Sequence, residues 1–149
     1  MRKILYIIVL LGLIAVPAER SDVGNLLPIE VISIYKDAHG VQIQTDTGNV
    51  GSGADLEDAY HNLKESASRD VYLDTADYLI LSGGAKELTP LLTQYLKKGI
   101  KVCQVEGQLQ IMEAAPYLLT HSPEIRLQDV NKESELQTLR QTEAGFVLE

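Results

Sequence analysis

The chain has no tryptophan, one phenylalanine and one cysteine in 149 residues. A single cysteine excludes an internal disulfide. Cys103 lies in Ile100-Lys101-Val102-Cys103-Gln104-Val105, a short apolar run that reads as a strand. There a thiol serves as a small buried hydrophobe rather than as a reactive group. The three histidines, His39, His61 and His121, are far apart and none sits in a metal-binding spacing. No G-x-G-x-x-G, Walker lysine or G-x-S-x-G elbow occurs. Basic residues are also short, 13 against 21 acidic, a net charge of −8. An anionic surface repels phosphate, which disfavours nucleic acid and anionic lipid headgroups as direct partners of the folded part.

One long apolar run stands at the start, where residues 4–18 follow Arg2 and Lys3 without a charge. A basic start, an apolar middle and small residues after it are the parts of a secretory signal. Val16 and Ala18 flank Pro17 at the −3 and −1 positions of a cut that makes Glu19 the new N-terminus. Uncleaved, residues 1–18 would act as an N-terminal anchor, the one route by which the membrane itself becomes a partner. No cysteine stands just after this run for lipid attachment, Cys103 being far downstream. The expectation is export, to the outer face of the cytoplasmic membrane or beyond.

The rest divides into one domain over residues 19–130 and a polar, irregular stretch over 131–149, expected as a frayed helix or disordered tail. Residues 29–35 and 41–45 alternate with period two around a turn containing Gly40, which predicts a β-hairpin. Residues 47–53 read as a loop leading to a helix over 55–66, with Leu56, Ala59, Tyr60 and Leu63 on one face. Ser52 and Asp55 have the spacing of a capping box at its start. Tyr78-Leu79-Ile80-Leu81 predicts a central buried strand closed by Ser82-Gly83-Gly84.

A second helix is predicted over 85–98, with Leu88, Leu91, Leu92 and Tyr95 on one face, Pro90 near its start and Gly99 as its stop. The strand at 101–105 and a third helix over 109–120, interrupted by Pro116, complete the order, with an edge strand at 125–130. The fold expected is α/β in the wider sense that includes α+β: a mixed sheet of about four strands, a hairpin followed by α-β-α-β-α, with parallel pairing between 78–81 and 101–105.

No catalytic, cofactor or metal residues are nominated. The Gly48–Gly53 loop stands where a phosphate cradle would, without its motif, and reads as a connection. Asp70, Asp74 and Asp77 are the densest carboxylate group, but lack calcium-loop spacing and read as a solvated turn. His39 belongs to the hairpin turn, His61 to the polar face of the first helix and His121 to a helix end.

The order of several motifs resembles a known family. Asp22-Val23-Gly24-Asn25-Leu26 before the first strand is similar to the opening of the first domain of the C subunit of spore-germination nutrient receptors, the Ger(x)C family. Gly51, Gly53, Leu56, Ala59 and Leu63 match its G-x-G-x-x-L-x-x-A-x-x-x-L stretch, and Ser68, Tyr72 and Leu73 resemble its S-x-x-x-Y-L/F segment ahead of an apolar strand. The likeness runs over residues 23–127. It implies a non-enzymatic exported module, without a cofactor, in a membrane-associated assembly. The contact surface expected for a membrane-associated protein partner includes Gly51, Ser52 and Gly53, or else Phe146, Val147 and Leu148. An independent small-ligand binding domain is the alternative reading. A glycan or wall hydrolase built on Asp70, Asp74 and Asp77 is a third.

Overall fold

The computed structural model describes residues 26–149. The expected signal segment at 1–18 and the family-like residues 22–25 lie outside the described part. The expected mixed sheet is present, with five strands. Strand β1 (Leu26–Leu27) precedes β2 (Val31–Lys36), β3 (Val41–Thr45) and β4 (Val50–Gly53), which form an antiparallel meander. Helix α1 (Leu56–Ser66) carries the chain back past β5 (Asp70–Val71), which pairs with β1, to β6 (Tyr78–Gly83), parallel to β2 on its other side. Strand β7 (Lys101–Val105) then extends the sheet parallel to β6, giving the order β4-β3-β2-β6-β7.

Alternation along the strands sorts side chains between two cores. Ile32, Ile34, Val41, Ile43, Leu79, Leu81 and Val102 face α1 and the helical segment after β6. Val31, Ile80 and Cys103 face the opposite way, toward helix α3 (Ile111–Thr120). Leu79, Ile80 and Leu81 are all buried, which explains why this strand is apolar at consecutive positions. Each such side chain contributes about 1.5–3 kcal/mol of burial.

Four local expectations are corrected. Residues 50–53 are not a loop but the edge strand β4, because Gly51 and Gly53 let α1 lie against the backbone: a Cβ on Gly51 would collide with the Ala59 carbonyl and Leu63. The α1 cap is Asp55, whose carboxylate accepts from Asp58 N–H at 2.9 Å, and Ser52 stays in β4. The second helix is broken into a 3-10 turn at Ala85–Leu88 and a short helix α2 (Thr89–Leu92), since Pro90 favours a first-turn position. Leu88, Leu92 and Leu96 still turn inward, while Leu91 is exposed.

The fourth lies at the C-terminal end. Ile125 to Leu127 meet β7 only through a bridge, Val102 N–H to the Ile125 carbonyl at 2.8 Å, before a 3-10 turn at Leu127–Asp129. Beyond it, β8 (Leu139–Thr142) and β9 (Gly145–Leu148) pair as an antiparallel hairpin in place of the frayed helix or tail. Leu139 is fully buried in the α3-side core, and Gln104 N–H donates to the Gln137 carbonyl at 2.9 Å, so the hairpin closes the β7 edge. Among the described residues, no helix is long and apolar enough to cross a membrane.

Candidate functional site

The α3 side of the sheet is covered unevenly. Helix α3 and the hairpin lie over β2, β6 and β7, while β3 presents Gln42 and Gln44 on this face, both half-buried. At the boundary is a recess of about 60 Å³ lined by Ser33, Tyr35, Gln42, Gln44, Ser82 and Gln108, with Leu109 at its side. Register builds it. Ser33 stands opposite Gln44, and Tyr35 stands between Gln42 on one neighbour and Ser82 on the other. Gln108 and Leu109 come from the approach to α3, after Gly107 turns the chain at φ 86°. A second, wider recess of about 220 Å³ shares Tyr35, Gln42 and Gln108 and adds Asp37, His39 and Ser52 at the rim.

Few of these groups are satisfied internally. Ser82 Oγ donates to the Ile34 carbonyl at 3.4 Å, and Gln42 Nε2 to Ser52 Oγ at 3.4 Å. Ser33 is 8% exposed, and its hydroxyl makes no hydrogen bond among the described residues. At the rim, Asp37 Oδ1 accepts from His39 N–H at 2.7 Å and Gly40 N–H at 3.1 Å; these backbone donors hold its carboxyl below the usual range. The Asp37 charge in turn pushes the Tyr35 phenol up.

A second surface is the outer face of α3. Met112, Pro116 and Leu119 recur at i, i+4 and i+7, all exposed, Met112 at 63% and Leu119 at 48%. Glu113 is the one charged residue in this helix. The outer face of α1, by contrast, carries Glu57, Asp58, His61, Lys64 and Glu65.

The expected contact residues lie at opposite edges of the sheet. Gly51 is buried under α1, Gly53 is half-buried there and Ser52 faces the opposite side, all on the β4 edge of the sheet. Phe146 and Leu148 pack into the α3-side core beyond the other edge, leaving Val147 exposed. Tyr117 fixes them: its hydroxyl accepts from Leu148 N–H at 3.1 Å, and its ring lies 6.2 Å from that of Phe146. The α3 stripe was missed in sequence; its signal is a helix apolar on nearly every face.

The carboxylate group does not converge on a reaction site. Asp70 and Asp74 are exposed, and Asp77 pairs with Lys97 at 2.5 Å across a turn. His39 lies in the β2–β3 turn, His61 pairs with Glu65 at 3.6 Å on α1, and His121 ends α3 stacked on Tyr117 at 4.2 Å. Among the described residues, no group of three or more His, Cys, Asp or Glu side chains is placed to hold a metal. Cys103 is fully buried, and burial pushes its thiol up to about 12, far from the thiolate range a nucleophile needs. No family model, curated protein or solved structure matches this chain.

Proposed function

We propose that the chain is an exported, non-enzymatic contact module that docks a membrane-associated protein through the outer face of α3. The observation that carries this reading is the Met112, Pro116 and Leu119 stripe, left in water on a helix with one charge. A helix that is apolar all round is ordinarily buried on all sides, and contiguous exposed apolar area marks an interaction site. The solvated outer face of α1 in the same domain makes the contrast specific to α3.

Two sequence features supply the setting. The charge-free run at residues 4–18 behind Arg2 and Lys3 supports delivery across the cytoplasmic membrane, and the Ger(x)C-like motifs support a place in a membrane-bound nutrient-responsive assembly. The scattered Asp70, Asp74 and Asp77 give a hydrolase reading little support.

Fractionation of cells making the full chain tests the export half. The expected product lies outside the cytoplasmic membrane, with or without residues 1–18. A soluble cytoplasmic product retaining Met1 contradicts it, and hydrolysis of wall glycans by the pure protein, abolished in Asp74→Asn/Asp77→Asn, contradicts the non-enzymatic half.

A further inference from the structure

We propose that the recess between β2, β3, β6 and the approach to α3 binds a neutral, hydroxyl-rich small molecule of the monosaccharide or polyol class. Tyr35 and Ser82 lie near the carboxyl ends of the parallel strands β2 and β6, the end at which open α/β sheets present their ligands. The lining is unusual for this chain. Charged residues make up 23% of the sequence, yet Ser33, Tyr35, Gln42, Gln44, Ser82 and Gln108 carry no formal charge.

Ser33 is 8% exposed as a residue, and its hydroxyl opens into the recess without a partner among the described residues; the Gln44 side chain directly opposite it in the ladder makes no hydrogen bond among them either. Ser82 and Gln42 make only long bonds of 3.4 Å. These groups therefore retain donors and acceptors for a ligand.

The type of group selects the chemistry. Serine and tyrosine hydroxyls and glutamine carboxamides all both donate and accept, which matches alcohol groups that do the same. A charged ligand entering the inner recess would lose water without meeting an opposite charge. Asp37 at the rim further disfavours anions. The inner recess has room for several water-sized groups, and the 220 Å³ outer recess, which shares Tyr35, Gln42 and Gln108 with it, has room beside it for the rest of a ring-sized molecule. This recess is separate from the exposed stripe of α3, so binding there and docking succeed or fail independently.

The test is an NMR titration of the full-length chain, nitrogen-labelled and held in phosphocholine micelles, with D-glucose and with sorbitol. Saturable shifts of the Gln44 and Gln108 side-chain amides at millimolar polyol are expected, with no such response to inorganic phosphate or glycine. Ser33→Ala removes a hydroxyl with no internal partner, and Gln108→Ala lies outside the strands and helices, so both should fold. Each should weaken binding about tenfold, the effect of one lost hydrogen bond. Failure of both polyols to saturate, an equal response to phosphate or glycine, or unchanged affinity in both variants overturns the proposal.

Discussion

Asn62 of α1 donates its side-chain amide to the Ser52 carbonyl at 2.6 Å, across the outer edge of β4. Four residues on, Ser66 Oγ lies 3.1 Å from the Val50 carbonyl. The Asn49 carbonyl is bonded to Thr45 N–H of β3, so in the alternation of an antiparallel ladder Val50 and Ser52 direct their backbone groups outward. Their carbonyls would otherwise be free on the last strand of the sheet, where another chain can add. Helix α1 therefore covers a sheet face and also blocks its edge.

Removing both side chains, Asn62→Ala with Ser66→Ala, should expose that edge. The expected outcome is a loss of about 1–3 kcal/mol in denaturant unfolding, at roughly 0.5–1.5 kcal/mol per hydrogen bond, together with concentration-dependent association in sedimentation velocity. A variant as stable and as monodisperse as the parent would show that the two contacts do not guard the edge.

Gly51 is a packing position beneath α1, where a Cβ meets the Ala59 carbonyl, Leu63 N and the Leu63 side chain. Gly51→Ala should destabilise the protein by about 1–3 kcal/mol, the usual cost of overpacking, and should do so without a change in exposed charge. Urea unfolding followed by circular dichroism measures this. A neutral substitution would mean that α1 can retreat from β4 freely.

The pattern of success in reading the sequence follows from where the determining contacts lie. Tyr78–Gly83 is legible because an apolar run ending in glycine carries its own strand signal, and α1 because Leu56, Ala59 and Leu63 repeat at helical spacing. Strand β4 is not legible, since Val-Gly-Ser-Gly has little strand character and is held by α1 above it. The C-terminal hairpin is hidden for a similar reason: Leu139 is the only apolar residue of β8, and its partners are on α3 and β7. The recess draws Ser33, Gln44, Ser82 and Gln108 from four separate segments, and only strand register makes neighbours of them.

Asp46 links acid titration to stability. Its Oδ2 accepts from Glu30 N–H at 3.1 Å and Val31 N–H at 3.2 Å, while Oδ1 is buried with no partner among the described residues. Desolvation outweighs those two bonds and raises its pKa above the ordinary 3.8. The folded state thus holds a proton that the unfolded chain has released, so this group's contribution to stability falls as pH rises from the ordinary value through the raised one. Asp46→Asn keeps an acceptor for the two backbone donors and removes the charge. Denaturation midpoints measured from acid to neutral pH should show the variant gaining on the parent through that window. A gap that narrows with rising pH would reverse the assignment.

The central claim, docking through α3, is tested most directly by placing a photo-crosslinking residue at Met112 in the full-length chain, with a control at His61 on the outer face of α1. Irradiation of intact cells should give, from position 112 only, a single adduct with a different protein in the membrane fraction, and Leu119→Glu on the same chain should abolish it. No adduct, an adduct only with a second copy of this chain, or equal labelling from position 61 would contradict the account.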